Sequence, residues 1–468
     1  MIKLYRSPAI CILSVAFATL LAFTSTNLFS QTGSTAYVPV GPPVSVANQY
    51  FSFPQSPVPL VPPPVPRNGG VQLLQSLDGI DFLGSHCGCL PPDTNAAVGN
   101  DYIVETVNVQ IRVFDKNTGL VLLDQDLRTF FGAASGGDPY VVYDDHERRW
   151  YVSAFNSTDR GLFLAVSNDS NPLDGFQVYE LANLGLPDYQ KLGYNQDAIF
   201  ISYNNFGPGG GAAATIISID KAAIYFGTLT YYVSVPKFQF RAMPPAQMHG
   251  DERGGVEWFV STDGSEAGGN TIRVTKMTNY LSDTPEFTYT SLPVTEYRSA
   301  TRADQPGGTI TTFPNTTTTQ VHYRNGYLVT AMASATAADG FVYPKGLFFR
   351  INVRRDMPRL VRQGVIDPGQ GVAVQMLSAD QDKEGTLGFT WMESSSTEYL
   401  SMWIGTRRAA QPSAPGLGFF YVSFRIGDYS TIVLDPSDDL TFWSANEYAG
   451  ADAQTDIWRT HINSFTAH

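Results

Sequence analysis

The chain has 468 residues, with 43 acidic against 30 basic side chains and a formal net charge of −13. Phosphate binding needs a basic face, so nucleic acid is excluded as the expected partner. Aromatics make up 13%, glycines number 42 and charged residues are only 16%, a mix that favours short strands and tight turns over charged surface helices.

In chain order, Lys3 and Arg6 precede an apolar run from Ala9 to Phe23, followed by small and polar residues from Thr24 to Gln31. This reads as a secretory signal over residues 1–30, with an uncleaved anchor as the alternative; the apolar run is short for a membrane span. No other long apolar run follows, so no span is expected after signal removal. Residues 31–70 read as a linker. Phe53 to Pro66 is rich in proline and should be an extended, stiff spacer, or else a docking segment. Ser85-His86-Cys87-Gly88-Cys89 comes next. In an exported chain Cys87 and Cys89 are a disulfide candidate; with His86 they could instead offer three soft metal ligands.

Val71 to Ser85 lead into the globular domain, and from Pro91 onward strands dominate. Asp101 to Phe114 alternates, and Asp115-Lys116-Asn117-Thr118-Gly119 reads as a hairpin turn with Gly119 at positive φ. Tyr140–Tyr143, Trp150–Phe155 and Gly161–Ser167 form a second strand group; Ala198–Tyr203 and Ala214–Ile219 form a third. Asp220–Phe226 is the best short helix. Thr278–Pro314 carries four prolines and reads as outer strands plus an elaborated loop.

A loose phrase recurs: a polar or acidic turn, then an aromatic-rich strand. It runs from Asp93-Thr94-Asn95 before Tyr102 to Asp438-Asp439 before Phe442-Trp443-Ser444, with copies at Asp138, Asp188, Asp251, His322 and Asp380. A repeat of roughly 45–70 residues in a β-rich chain means a radial array of small sheets. The expected fold is therefore all-β: a single β-propeller over residues 71–468, with seven four-stranded blades, six or eight being the alternatives. The ends of the chain should pair in one sheet and close the ring.

If the aromatic-rich strands are innermost, Asp93, Asp138, Asp188, Asp251 and Asp380 gather at one channel mouth as ligand-binding residues. Asp93 and Asp138 could then hold calcium. The competing reading is a turn role, with each carboxylate accepting from nearby backbone N–H groups. Trp258, Trp391, Trp403, Trp443 and Trp458 are either sugar-stacking platforms or core. No His-Glu-x-x-His zinc motif and no Gly-x-Ser-x-Gly elbow is present, and nothing marks three of the arginines as convergent.

The stretch Pro91-Pro92-Asp93-Thr94-Asn95-Ala96-Ala97-Val98-Gly99, with Tyr102 and Asn108, resembles the opening of a family of exported bacterial proteins that carry a Pro-Pro-Asp-Thr-Asn-Gly phrase. Gly137-Asp138-Pro139 with Trp150, and Phe442-Trp443 with Ala445-Asn446-Glu447-Tyr448, resemble its later phrases. Ala96 stands where that family has Gly. The resemblance implies an exported, sialidase-like propeller and supplies no catalytic residues. The expected function is a secreted or cell-surface propeller that binds an extracellular glycan or protein through one face. The alternative is a sialidase-like glycoside hydrolase acting on extracellular polysaccharide.

Overall fold

The computed structural model describes residues 36–38, 64–68 and 71–467, apart from 134, 158–159, 208–212, 238–240, 251–253, 263–266, 313–315, 356, 421–425 and 453–454. Asp251 and nearly all of the expected signal and linker lie outside the described residues.

Strands follow one another in four-stranded antiparallel runs. Unit I comprises Asn95–Val98, Tyr102–Val107, Gln110–Asp115 and Val121–Asp126; unit II comprises Tyr140–Asp144, Arg149–Asn156, Gly161–Ser167 and Phe176–Leu181. Unit III runs Pro187–Tyr194, Ala198–Asn205, Ala213–Asp220 and Tyr231–Ser234. Unit IV runs Ala246–His249, Glu257–Thr262, Gly268–Thr278 and Glu286–Arg298, its first two strands joined through a Pro245–Phe259 bridge. Unit V is Val321–Arg324, Tyr327–Thr336, Pro344–Asn352 and Arg359–Ile366; unit VI is Ala373–Gln381, Leu387–Ser395, Glu398–Thr406 and Ala410–Ala414. Unit VII takes Thr431–Leu434, Phe442–Asp452 and Asp456–Thr466 from one end of the domain and Gln72–Asp81 from the other.

The first strand of each unit lies beside the first strand of the next. Thr431–Leu434 returns against Asn95–Val98, so the cycle closes. Neighbouring first strands run parallel: Tyr194 pairs with Gln247, and Ala246–His249 with Val321–Arg324. Small sheets radiating from a closed ring of parallel inner strands define a β-propeller. Pairing Gln72–Asp81 with Asp456–Thr466 ties the two ends of the domain together and removes an open edge.

The inner strands are not the aromatic-rich ones. Tyr102–Val107, Arg149–Asn156, Ala198–Asn205 and their equivalents are second strands. The reason is packing. A second strand is covered on both faces by neighbouring sheets and reads as a continuous apolar run, whereas an inner strand faces a narrow axis where small and polar side chains fit. The tryptophans follow the same logic. Trp258, Trp391, Trp403, Trp443 and Trp458 are all at most 5% exposed, so they are inter-sheet core and not sugar platforms. Their burial is made compatible with the indole N–H by bonds such as Trp443 Nε1 to Asp435 at 2.9 Å and Trp458 Nε1 to the Cys89 carbonyl at 2.9 Å.

The expected helix is present in shortened form at Lys221–Ile224, capped by the Asp220 carboxylate on the Ala223 N–H at 3.2 Å. A second helix, Leu127–Phe131, ends at Gly132 with φ +67°; five residues are too few to show a helical period in sequence. The Asp115–Gly119 turn has Gly119 at φ +72° and Asp115 accepting from Thr118 at 2.8 Å. Thr278–Pro314 resolves into the outer strand Glu286–Arg298 and a hairpin, Arg302–Gln305 with Gly308–Thr311, that leans on unit VI.

The globular contacts begin before residue 71. Arg67 exchanges backbone bonds with Ala410 at 2.7 and 3.2 Å, and its guanidinium stacks over Trp403 at 3.9 Å. It also pairs with the buried Glu393 carboxylate.

Candidate binding face and axial channel

All inner strands point the same way, so the propeller has an upper face where they begin and a lower face where they end. Asp93, Asp138 and Asp188 belong to the upper face. Asp380 lies at the far end of Ala373–Gln381 and therefore at the lower face. The single acidic mouth expected from sequence is thus split, because Asp380 sits at the end of its inner strand while Asp93 and Asp138 precede theirs.

The phrases that resemble the exported family converge at the upper mouth. Asn108 donates through Nδ2 to the Pro91 carbonyl at 3.2 Å and to the Asp93 carboxylate, while its Oδ1 accepts from the Asp138 N–H at 2.8 Å. Gly137 is at φ +131°, and a Cβ there would sit 2.8 Å from Asn108 Oδ1, so only glycine lets the two loops approach so closely. Asn95 bridges three inner strands: its Oδ1 accepts from the Val141 N–H at 2.7 Å and its Nδ2 donates to Thr431 at 3.0 Å. Asp93 and Asp138 adopt φ +56° and +46°, a left-handed conformation that Asp tolerates better than most residues. These phrases fasten the ring.

Inside this mouth sits Lys191, 1% exposed. Its ammonium lies 3.4 Å from the Tyr189 ring centroid and 3.5 Å from that of Tyr429. Tyr429 donates to the Asp138 carboxylate at 2.9 Å. Burial pushes the Lys191 amine well below the lysine range, opposed by the carboxylates of Asp138, Asp428, Asp93 and Asp188. Among the described residues no three carboxylate, imidazole or thiolate groups lie close enough to hold a metal ion. The carboxylates of Asp93 and Asp138 face the Lys191 amine and oppose the loss of its proton. Cys87 and Cys89 are joined by a disulfide on the neighbouring loop. The bond consumes both thiols, so His86 gains no soft-metal partners.

At the lower mouth a narrow pocket, enclosing room for about one water molecule, is lined by Tyr143, Asp145, Gln247, His249, Arg324 and Asp439 together with apolar residues. The fold stacks His249 on His322, with ring centroids 5.9 Å apart, because the two residues lie on adjacent parallel inner strands. Of the arginines weighed for a sialidase-like triad, Arg324 lines this pocket; Arg112 bonds Asp124, Arg459 bonds Asp456, and Arg350 bonds Gln381. Arg425 lies outside the described residues.

The upper face carries the longer connections: 82–94, 235–245, 299–320 and 415–430. Exposed apolar side chains lie on its loops at Leu83, Phe206, Val235, Val342 and Leu417. Phe82, Ala303, Ile310, Met376, Phe420, Ile426 and Trp458, partly from the 82–94, 299–320 and 415–430 connections themselves, form part of a buried cluster.

No protein-family model matches the chain, and no curated protein matches it in sequence. Solved structures do align. The WD40 domain of SCAP from fission yeast has 7% identity, a TM-score of 0.34, and coverage of 90% of this chain and 98% of that one. A subtype N10 neuraminidase-like protein from a little yellow-shouldered bat isolate has 9% identity, a TM-score of 0.37, and coverage of 74% and 99%. Drosophila Plexin A, solved with Semaphorin 1b, has 8% identity, a TM-score of 0.37, and coverage of 85% and 88%. The fold assignment rests on the closed ring of strands described above, and no family membership follows from these alignments.

Proposed function

We propose that the chain is an exported, seven-bladed propeller that binds an extracellular protein through its upper face. The observation that carries this reading is the location of the long loops: they crowd one face, three of them (82–94, 299–320 and 415–430) share a buried apolar cluster, and Phe206, Val342 and Leu417 on that face are exposed to solvent. A rigid ring with variable rim loops is the usual basis for recognition by such folds. Apolar tips favour a protein partner over a glycan, since the tryptophans that could stack on sugar rings are buried. The hydrolase reading draws less support. Lys191, Tyr189 and Tyr429 fill the upper end of the channel, and the lower pocket is narrow.

Export follows from the basic and apolar pattern of residues 1–30 and from the resemblance to an exported bacterial family. Amino-terminal sequencing of protein recovered from culture medium should begin between residues 24 and 32; a mature chain starting at Met1 contradicts export by cleavage. The binding reading is tested with a Phe206→Asp, Val342→Glu, Leu417→Glu variant against an extracellular protein fraction and an oligosaccharide panel. Retention on the protein fraction should drop at least about tenfold with unchanged melting. Sugar release by the wild type, or retention that survives the substitutions, would overturn it.

A further inference from the structure

The lower pocket holds two buried donors with nothing to donate to. His249 is 7% exposed and Arg324 is 5% exposed, and both line the pocket. His249 Nδ1 is committed to the Tyr194 hydroxyl at 3.1 Å and the Asp145 carboxylate at 3.3 Å, while its Nε2 has no hydrogen-bond partner. Arg324 donates through one terminal nitrogen to Asp439 at 2.7 Å, while its Nε has none. Each side chain is therefore engaged on one side and unsatisfied on the other. A buried N–H without an acceptor is costly, and one bearing charge more so. Two such groups lining the same opening form a site for an oxygen acceptor.

We propose that this pocket binds the carboxylate of a small free acid, with one oxygen on His249 Nε2–H and the other on Arg324 Nε–H. The enclosed space is about that of one water molecule, so only the carboxylate oxygens enter and the remainder of the acid stays at the opening. Asp439, more exposed than Arg324, can stay on the far side of the guanidinium. This site lies on the opposite face from the proposed protein-binding loops, and each can fail without the other.

Protonation is coupled to binding. With Nδ1 facing Asp145, a neutral His249 presents a lone pair at Nε2, and only the imidazolium donates there. Burial pushes the imidazole down, but Asp145, followed by Asp380, overrides it and the net direction is up, with Arg324 opposing. The other groups facing this ring are Tyr194, His146, which is 4.0 Å from Asp145, and His322, which burial holds neutral. Binding should therefore be tight where His249 is protonated and weaken as pH rises.

The test uses the full mature chain with sodium formate and sodium acetate as probes, and sodium chloride at matched ionic strength as the control. Histidine-resolved NMR should show the His249 ring signal moving with formate or acetate and not with chloride. Once pH passes the range in which His249 stays protonated, the affinity should fall about tenfold per pH unit. Arg324→Lys keeps the charge beside Asp439 but loses the planar Nε–H, and should weaken binding at least about tenfold. Equal responses to formate and chloride, or affinity that does not change with pH, overturns the proposal. Should Arg324→Lys fail to fold, the wild-type comparison of anions and pH decides alone.

Discussion

Glu447 offers a prediction with an unusual sign. The residue is fully buried on the second strand of unit VII; its Oε2 accepts from the Gly427 N–H at 2.7 Å, while Oε1 has no hydrogen-bond partner. Burial pushes its carboxyl up to about 8, and the nearby Asp428 adds to that. In the unfolded chain a glutamate ionises near about 4.3. Between those values the folded state holds a proton that the unfolded state has released, so the stabilisation is complete at low pH and is lost as pH rises through the folded value. From about pH 6 to about pH 9 the loss spans about two pH units at about 1.4 kcal/mol each, or roughly 3 kcal/mol. Glu447→Gln keeps an acceptor for Gly427 and never ionises. Urea unfolding at both pH values should show the wild type losing roughly 2–3 kcal/mol more than the variant on going alkaline. Glu105 and Glu393, raised to about 7, and Asp380, raised to about 6, titrate in both proteins and cancel in the comparison. His461, lowered to about 4, acts with the opposite sign and below this window. Equal pH dependence in the two proteins would refute the reasoning.

Three further outcomes follow from the geometry. Arg67→Ala should cost about 1–3 kcal/mol in urea unfolding: it leaves Glu393 buried without its cation, and the figure is reduced because a third of the Arg67 side chain is exposed; no change would mean that the segment before residue 71 does not stabilise the domain. Lys191→Met should cost about 1–3 kcal/mol by removing the buried amine that the surrounding acids face, while calcium added to the wild type should leave the melting temperature unchanged; a rise with calcium would favour the metal reading of Asp93 and Asp138. Asn108→Ala should cost about 1–3 kcal/mol by releasing Pro91, Asp93 and the Asp138 N–H together, and a neutral result would deny that these phrases fasten the mouth.

The architecture was legible because its signals are local. Trp150–Phe155 and Ala198–Tyr203 announce strands by composition, Asp115–Gly119 announces a turn, and their recurrence announces a radial repeat. Which strand lies innermost was not legible. Apolar runs mark burial between sheets, and the axis is lined instead by short segments such as Asn95–Val98 and Ala246–His249. That inversion is why Asp380 was assigned to the same mouth as Asp93. Lys191 gave no sign of its position, since a lone lysine near tyrosines has no distinguishing spacing. His249 and His322 are 73 residues apart and meet only through the parallel pairing of inner strands, which single-chain periodicity does not encode. Asn108 could have been found, because it accompanies the Pro91–Gly99 phrase, although its partners at Asp138 could not.

Site-specific photo-crosslinking on the exported protein tests most directly whether the upper face is the one that recognises a partner. A photoreactive residue placed at Phe206, Val342 or Leu417 should capture an extracellular protein, while the same probe at Phe226 or Met357, exposed on lower-face connections, should not. Capture from the lower face alone, or crosslinking only to polysaccharide, would contradict it.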